Sequence, residues 1–282
     1  MRKFYLENEI GQRIDLQGQT FFQLPSGLGV TIESEYGRSS DGFFTSIRAE
    51  LAQGNVVGDL VFRQGYAGYK VLADWLFVGH KIMLIYQPLD TDYLRDIDVE
   101  SIEKGELGAG GWLTCPASLR CTSPWYKRLP VEIELTPDDG DGRKKYPAAY
   151  PMRYALSGDI NSADITAGGH IEAALSISIP GPLDGPVITL RRKSTADIIG
   201  RVNLPDIEIG ADESLLFSSR HGAMGIWRVS VAGREDLIEH VDLTDNNFFR
   251  LPVGVPCTLS IGSNAEITQA AEIKVFEYYK AV

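Results

Sequence analysis

The stretch GGWLTCPASLRCTSPWYKR, residues 110–128, contains two of the three cysteines in the chain. From Leu113 to Cys121 every second residue is apolar, and the residues between them are mostly polar. This alternation is typical of a β-strand that buries one face, because successive side chains of a strand point to opposite sides. The predicted buried face consists of Leu113, Cys115, Ala117, Leu119 and Cys121.

The spacing of these cysteines argues against thiol chemistry. Cys115 and Cys121 are six residues apart, which places their Cα atoms roughly 20 Å apart in an extended strand. A disulfide requires Cα atoms within about 7 Å, and a zinc ribbon requires a closer pair and a second pair elsewhere. The third cysteine, Cys257, lies far along the chain in another strand-like run. We therefore predict three buried thiols, no metal site and no cofactor.

The overall composition indicates a globular protein with an acidic surface. The chain has 282 residues, of which 44% are hydrophobic and 23% charged. Its formal net charge of −11 opposes nonspecific binding to nucleic acid, which requires a basic surface. The basic run RKK at residues 143–145 leaves a local basic patch open.

The sequence also predicts a soluble protein that is synthesised in the cytoplasm. Its N-terminal segment has no apolar run long enough for a signal peptide. The most apolar stretch, residues 71–86, is interrupted by Asp74, His80 and Lys81, so it does not predict a membrane span. Three unpaired cysteines fit folding in a reducing compartment.

Strand-like segments with glycine-rich turns dominate the chain and predict a mainly β fold in two domains. Residues 136–151, TPDDGDGRKKYPAAYP, have no hydrophobic period and predict a linker. We place the domains at residues 1–137 and 138–282. The second domain has many short strand-like runs and no helical segment, which favours an antiparallel sandwich.

The first domain contains the one segment with helical periodicity and a predicted hairpin. Apolar residues at Tyr69, Leu72, Ala73 and Leu76 predict a helix over residues 67–78, capped by Gly79. Before it, residues 43–62 form two alternating runs that we predict to pair as a hairpin around Gly54 and Asn55.

No pattern of residues predicts catalysis. Asp96, Asp98 and Glu100 alternate along one strand face and could bind a cation or act as acid and base, but a solvated strand edge explains them equally. The histidines stand singly, and no G-x-S-x-G motif is present. Trp227 shares its strand face with Val229 and Val231, which predicts that it lies in the core. We predict that the protein is not an enzyme.

Two series of motifs resemble the siphophage distal tail protein family. ADWLFVGHKIMLIYQPLDTDYLRDIDVESI (residues 73–102) and GGWLTCPASLRCTSPWYK (residues 110–127) are similar to its N-terminal domain, in which a helix precedes a strand ending in proline. A tyrosine-containing loop follows, and then two long strands that end in a PWY-like motif. GHIEAALSISIPGPLDGPVITL (residues 169–190) is similar to the first strands of its galectin-like C-terminal domain. The similarity extends over most of the chain in the order of the family.

The resemblance implies a non-enzymatic virion protein at the tail tip that forms a homo-hexameric ring. By the same resemblance the ring joins the major tail tube protein to a tail-associated hub or lysin protein. The C-terminal domains bind receptor-binding proteins or cell-wall glycan in some members. Our own candidate for the ring contact is the predicted hairpin, through Phe43, Phe44, Gln53, Gly54, Asn55 and Phe62.

The alternative function is a carbohydrate-binding module that binds host cell-wall glycan. Such a site needs an exposed aromatic side chain or a cluster of polar side chains. The turn-rich segment EHVDLTDNNFFR, residues 239–250, offers the candidate residues Asp245, Asn246, Asn247 and Arg250.

Overall fold

The computed structural model describes residues 2–79, 81–133, 161–265, 267 and 269–282. The mainly β fold with one α-helix and antiparallel strand pairs is confirmed. The chain divides into two compact units, Met1–Lys127 with Tyr279–Val282, and Arg128–Tyr278. The predicted boundary after Pro137, the predicted linker and the basic run at 143–145 lie outside the described residues. Among the described residues, no helix has the length and apolar character needed to cross a membrane.

The first unit is built mainly from antiparallel strands around one core. Its elements are β1 (Lys3–Asn8), β2 (Arg13–Asp15), β3 (Thr20–Ser26), β4 (Ile32–Arg38), β5 (Phe44–Leu51), β6 (Asn55–Phe62), α1 (Tyr66–Leu76), β7 (Ile82–Gln87), β8 (Tyr93–Ile102), β9 (Leu113–Cys121) and the start of β10 (Trp125–Ile133). Strand β1 pairs with β2 and β7, and β7 pairs with β8. Strand β8 also pairs with β9, β9 pairs with β6, and β6 pairs with β3.

Strand β9 has the predicted register. Its residues alternate between buried and exposed, and the thiols of Cys115 and Cys121 are 0% and 3% exposed. Leu113, Ala117 and Leu119 are buried with them in the core of the first unit. Cys257 is also buried, and all three cysteines are free thiols.

Helix α1 forms where the periodicity predicts it, with its core contact through Leu72. It ends at Leu76, two residues earlier than predicted, and its C-cap is Phe77 rather than Gly79. The amide of Val78 donates to the carbonyl of Trp75, which closes the last turn before the glycine is reached.

The predicted hairpin at residues 43–62 is wrong. Strand β5 pairs with the preceding β4, and β6 pairs with β3 and β9 instead. The chain reverses at residues 39–43, where Ser39 donates its amide to the carbonyl of Phe43 and Gly42 has φ +90°. Glycine tolerates this conformation without steric cost, so the SSDG sequence rather than Gly54–Asn55 makes the turn.

The second unit is an antiparallel sandwich. Its elements are β11 (Asn161–Ile165), β12 (Ile171–Pro180), β13 (Leu183–Asp184), β14 (Val187–Arg192), β15 (Ile198–Asn203), β16 (Glu208–Ile209), β17 (Ser214–Ser218), β18 (Gly225–Ser230), β19 (Gly233–Asp236), a 3-10 helix (Ile238–His240), β20 (Cys257–Gly262) and β21 (Ala271–Tyr279). One sheet contains β19, β18, β17, β12 and β21 in that order, and the other contains β11, β20, β14 and β15. Side chains from both sheets, such as Leu175 and Leu259, form one core.

Candidate functional site

The two-stranded ribbon β4–β5, residues 32–51, is the most exposed part of the first unit. Cross-strand pairs place Ile32 opposite Leu51 and Arg38 opposite Phe44, with Tyr36 between them along β4. Ile32, Tyr36 and Phe44 are 58%, 61% and 68% exposed. These side chains lie on one face of the ribbon, because residues two apart in a strand point the same way.

The opposite face of the ribbon is mostly charged, and the exposed Ile47 also lies there beside Gly37. Glu33 pairs with Glu50 and Glu35 with Arg48, and Arg48 forms an ion pair of 2.6 Å with Glu50. This hydrogen bond to Glu50 raises the pKa of Arg48. An isolated two-stranded ribbon is marginally stable in water unless its apolar face is covered. The amphipathic ribbon therefore has the character of an interaction element.

A side chain and a backbone amide from residues 121–125 hold the base of the ribbon. The indole Nε1 of Trp125 donates to the carbonyl of Leu28, just before β4, at 3.2 Å. On the other side, the Cys121 amide donates to the carbonyl of Gly54, just after β5, at 2.9 Å. The guanidinium of Arg95 lies 5.4 Å from the Trp125 ring centre and packs against Gly54. Both ends of the ribbon are thus fixed to one corner of the sheet.

Arg95 is buried, with only 5% of its surface exposed. Its Nε donates to the carbonyl of Ser123 at 2.9 Å, and burial lowers its pKa. Burial also raises the pKa of the Cys121 thiol, while the neighbouring Arg95 acts in the opposite direction. The alternation of β8 gave no reason to single out Arg95, and its place beside Trp125 is visible only in the structure.

A second exposed cluster combines aromatic rings with cations. Arg63 lies over the rings of Phe21 and Trp112 at 5.5 and 5.7 Å, and these two rings meet edge to face. Nearby in sequence, Lys104 lies 4.7 Å from the ring centre of Tyr66. Trp112 and Tyr66 are 48% and 39% exposed. Tryptophan, tyrosine and arginine are the residues most enriched in protein–protein hot spots. We call these five residues the aromatic–cation patch.

The structure separates the six residues that we selected for a ring contact. Phe43 and Phe44 lie at the exposed tip of the ribbon, 71% and 68% exposed. Gln53, Gly54 and Asn55 lie at its base, where the Gln53 amide donates to the carbonyl of Cys121 at 3.2 Å. The sixth, Phe62, is completely buried in the core of the first unit. The selection missed Ile32 and Tyr36 because the partner strand of β5 was wrongly identified.

The carboxylate row on β8 is occupied by structural contacts. Asp96 accepts a hydrogen bond of 2.7 Å from the Tyr126 hydroxyl. Glu100 accepts one of 2.9 Å from the Ser118 hydroxyl and forms an ion pair with Arg120. Within the described part of the chain, no three potential metal-ligating side chains come together. The contacts at Asp96 and Glu100 explain these carboxylates without an acid–base role.

The four residues selected for glycan binding lie in one loop of the second unit, and two of them fix that loop. Asn247 is buried, and its amide donates to the carbonyl of Asp242 at 3.1 Å. The Asn246 amide donates to the carbonyl of Ile199 at 3.2 Å. Asp245 and Arg250 are partly exposed. Asn246 and Asn247 thus use their amides to fix the loop against its neighbours.

The predicted core position of Trp227 is wrong. Ile226, the next residue along β18, enters the core instead, while Val231 beyond the strand is fully exposed. Trp227 is partly exposed on the outer face of the sheet, with its ring over Gly225 and Arg234 5.7 Å from the ring centre. The alternation assigned Trp227 to the core because it shares a face with Val229 and Val231. Val231, however, lies beyond the end of β18.

Comparison with solved structures shows the same fold in two phage assemblies. A chain of the phage P2 baseplate in its activated conformation with Ca is 15% identical, with a TM-score of 0.70 over 100% of both chains. The corresponding structure with Sr gives the same values. The SPP1 Dit protein, described as a hub of the adsorption apparatus in phages that infect Gram-positive hosts, is 11% identical. Its TM-score is 0.58, over 97% of this chain and 98% of that one.

The family comparison identifies the N-terminal part of the chain. No curated protein matches the sequence. Residues 3–122, which include the ribbon, α1 and β9, match the family model described as distal tail protein, N-terminal domain. The chain thus carries the N-terminal domain of the distal tail protein family.

Proposed function

We propose that this protein is a non-enzymatic hub that assembles as a homo-hexameric ring at the virion tail tip. The observation that carries the proposal is the amphipathic ribbon, whose apolar face has no cover within the described residues of its own chain. A closed ring repeats one heterologous contact around its axis, so each copy needs a surface that reaches the next. The ribbon tip residues Phe43 and Phe44 supply that surface, together with Ile32 and Tyr36.

The ring links the major tail tube protein on one side to a tail-associated hub or lysin protein on the other. The aromatic–cation patch supports this role, because it offers hot-spot residues away from the ribbon. In the same proposal the second unit binds a receptor-binding protein, and the chain is synthesised in the cytoplasm of a bacterial host. None of these tasks requires catalysis, in agreement with the structural contacts of Asp96 and Glu100.

Native mass spectrometry and negative-stain microscopy at micromolar concentration test the ring. We expect the unmodified chain to give hexamers with a central channel. The double substitution Ile32→Glu/Phe44→Glu should shift the chain to monomers and leave its melting temperature unchanged, because both side chains are exposed. Leu89→Glu is the matched control, since Leu89 is 78% exposed outside the ribbon. A chain that stays monomeric at high concentration contradicts the proposal.

Trp227 favours glycan binding by the second unit as a second candidate function. Its ring is partly exposed next to Gly225, Arg234 lies over it, and its cross-strand neighbours are Leu216 and Asp236. We expect Trp227→Ala to abolish retention on bacterial wall polysaccharide, and Val231→Ala, at a fully exposed position, to have no effect. Absence of binding to any wall polymer contradicts this function and leaves the ring proposal unaffected.

A further inference from the structure

A small cleft lies between α1 and the second half of β8. Its volume is about 230 Å³. The helix lines it with Tyr69, Leu72, Ala73, Leu76 and Phe77, and the strand lines it with Val99, Glu100, Ser101 and Ile102. Phe77 is 89% exposed, more than any of the large apolar side chains of the ribbon. Sites for small molecules usually have volumes of about 300–1,000 Å³, so the size of this cleft fits an apolar side chain better than a cofactor.

The strand beside the cleft also has an unpaired edge. Strand β7 pairs with β8 only as far as Ile97, where β9 already pairs on the other side. Beyond it, residues 98–102 pair with β9 alone among the described strands. Free backbone groups at a strand edge are a template for pairing with a strand of another chain.

The ribbon is complementary to this cleft and to the free edge of β8. It offers exposed apolar side chains, Phe44 above all, and two strand edges of its own that pair with no further strand in the described part of the chain. One pair of opposite charges is also available. Arg38, which is opposite Phe44, has the opposite sign to Asp98 at the free edge of β8, and both side chains are exposed.

We propose that the cleft between α1 and β8 receives the ribbon of a second copy of this chain. Phe44 and Tyr36 contact Leu76 and Phe77, and the ribbon adds its edge to residues 98–102 of β8. Ribbon and cleft are different surfaces, so the contact is heterologous and leaves one free ribbon and one free cleft in every dimer. Such a contact continues from copy to copy until a ring closes. This inference rests on the proposed ring and adds the receiving surface.

Cross-linking identifies the receiving surface directly. The native thiols are buried, so cysteines introduced at exposed positions react selectively with a short bismaleimide. We expect Thr45→Cys/Val78→Cys, which joins the ribbon tip to the end of α1, to give a ladder of covalent oligomers up to the hexamer. Mixing the two single variants should give dimers only. The control pair Thr45→Cys/Gln64→Cys places the second thiol before α1 and should give no ladder.

Substitution of Phe77 gives an independent readout. We expect Phe77→Asp to weaken assembly at least tenfold without lowering the melting temperature of the monomer, while Leu89→Asp, at an equally exposed position, leaves assembly unchanged. Hexamers that form normally with Phe77→Asp, or that cross-link through residue 64 and not residue 78, would overturn the inference while the ring proposal stands. A chain that remains monomeric overturns both.

Discussion

Strand β9 and the ribbon strand β4 each present apolar side chains on one face, in opposite environments. In β9 every second side chain is apolar, whereas in β4 Ile32 and Tyr36 share one face with Ser34 between them. The apolar face of β9 is 0–5% exposed and forms part of a core with β6 and β8. The aromatic and aliphatic side chains of β4 are 58–61% exposed. The alternation specifies a face to be covered, and it does not specify whether the cover comes from the same chain.

The difference arises from the neighbours of each strand. Strand β9 lies between β6 and β8, and its inner face packs in a core that also contains Phe4, Leu72 and Trp125. Among the described strands, β4 pairs with β5 alone, and both ends of the ribbon are fixed at one corner, through Leu28 and Gly54. A covered apolar side chain contributes to the stability of the monomer, whereas an uncovered one contributes to association.

The largest expected difference in stability is between truncating a buried residue of β9 and truncating an exposed residue of the ribbon. Leu119→Ala should lower the free energy of unfolding by about 2–5 kcal/mol, because it removes buried methyl groups and leaves a cavity. Ile32→Ala should change it by less than about 0.5 kcal/mol, since Ile32 is exposed. Urea unfolding of the monomer measures both. Equal losses would show that the ribbon is covered within its own chain.

Substitutions at the base of the ribbon test how firmly the ribbon is joined to the sheet that contains β9. Gly27 has φ +81°, and a Cβ there would lie 1.9 Å from the carbonyl oxygen of Asn55. Gly27→Ala should therefore cost about 1–3 kcal/mol through backbone strain and displacement of β6. Gly29→Ala is the control, because a Cβ at Gly29 meets no atom within 4 Å. Equal unfolding free energies for the two variants would contradict this account.

The stability and reactivity of the cysteine thiols test whether the inner face of β9 is buried. Cys115→Ser should cost about 1–3 kcal/mol, because the hydroxyl replaces buried sulfur without an assured hydrogen-bond partner. Both Cys115 and Cys121 should resist a thiol reagent in the native protein and react after denaturation. Burial raises the pKa of Cys121, so the folded state holds this proton more tightly. Stability due to Cys121 is then present below the pKa of the unfolded thiol, about 8.5, and falls as the pH rises above it. Rapid labelling of both thiols in the folded protein would overturn the register of β9.

The last comparison concerns Trp125, which is 1% exposed. Trp125→Phe keeps an aromatic ring beside Arg95 but removes the hydrogen bond to the Leu28 carbonyl and leaves space where the indole was buried, which together should cost about 1–3 kcal/mol. Hydrogen exchange should then become faster in β4 and β5 and stay unchanged in β9. Uniform acceleration in all three strands would indicate a general loss of stability rather than a loosened base.

The sequence by itself determined the class of the fold, the helix and the register of β9. Each of these depends on periodicity within one segment, because a strand or helix with one buried face repeats its apolar residues at a fixed spacing. The series of motifs also led to the correct family. The position of the buried thiols followed from the same alternation.

Only the tertiary structure decided which strands pair and which faces are covered. The partner of β5 was misassigned because the positive φ of Gly42 makes the turn, and local alternation is equally compatible with either neighbour. Ile226 is the residue of β18 that enters the core, so its neighbour Trp227 points to the outer face of the sheet. Arg95 came to lie beside Trp125 through contacts between residues 30 positions apart. Pairing and burial are long-range properties, so no single segment encodes them.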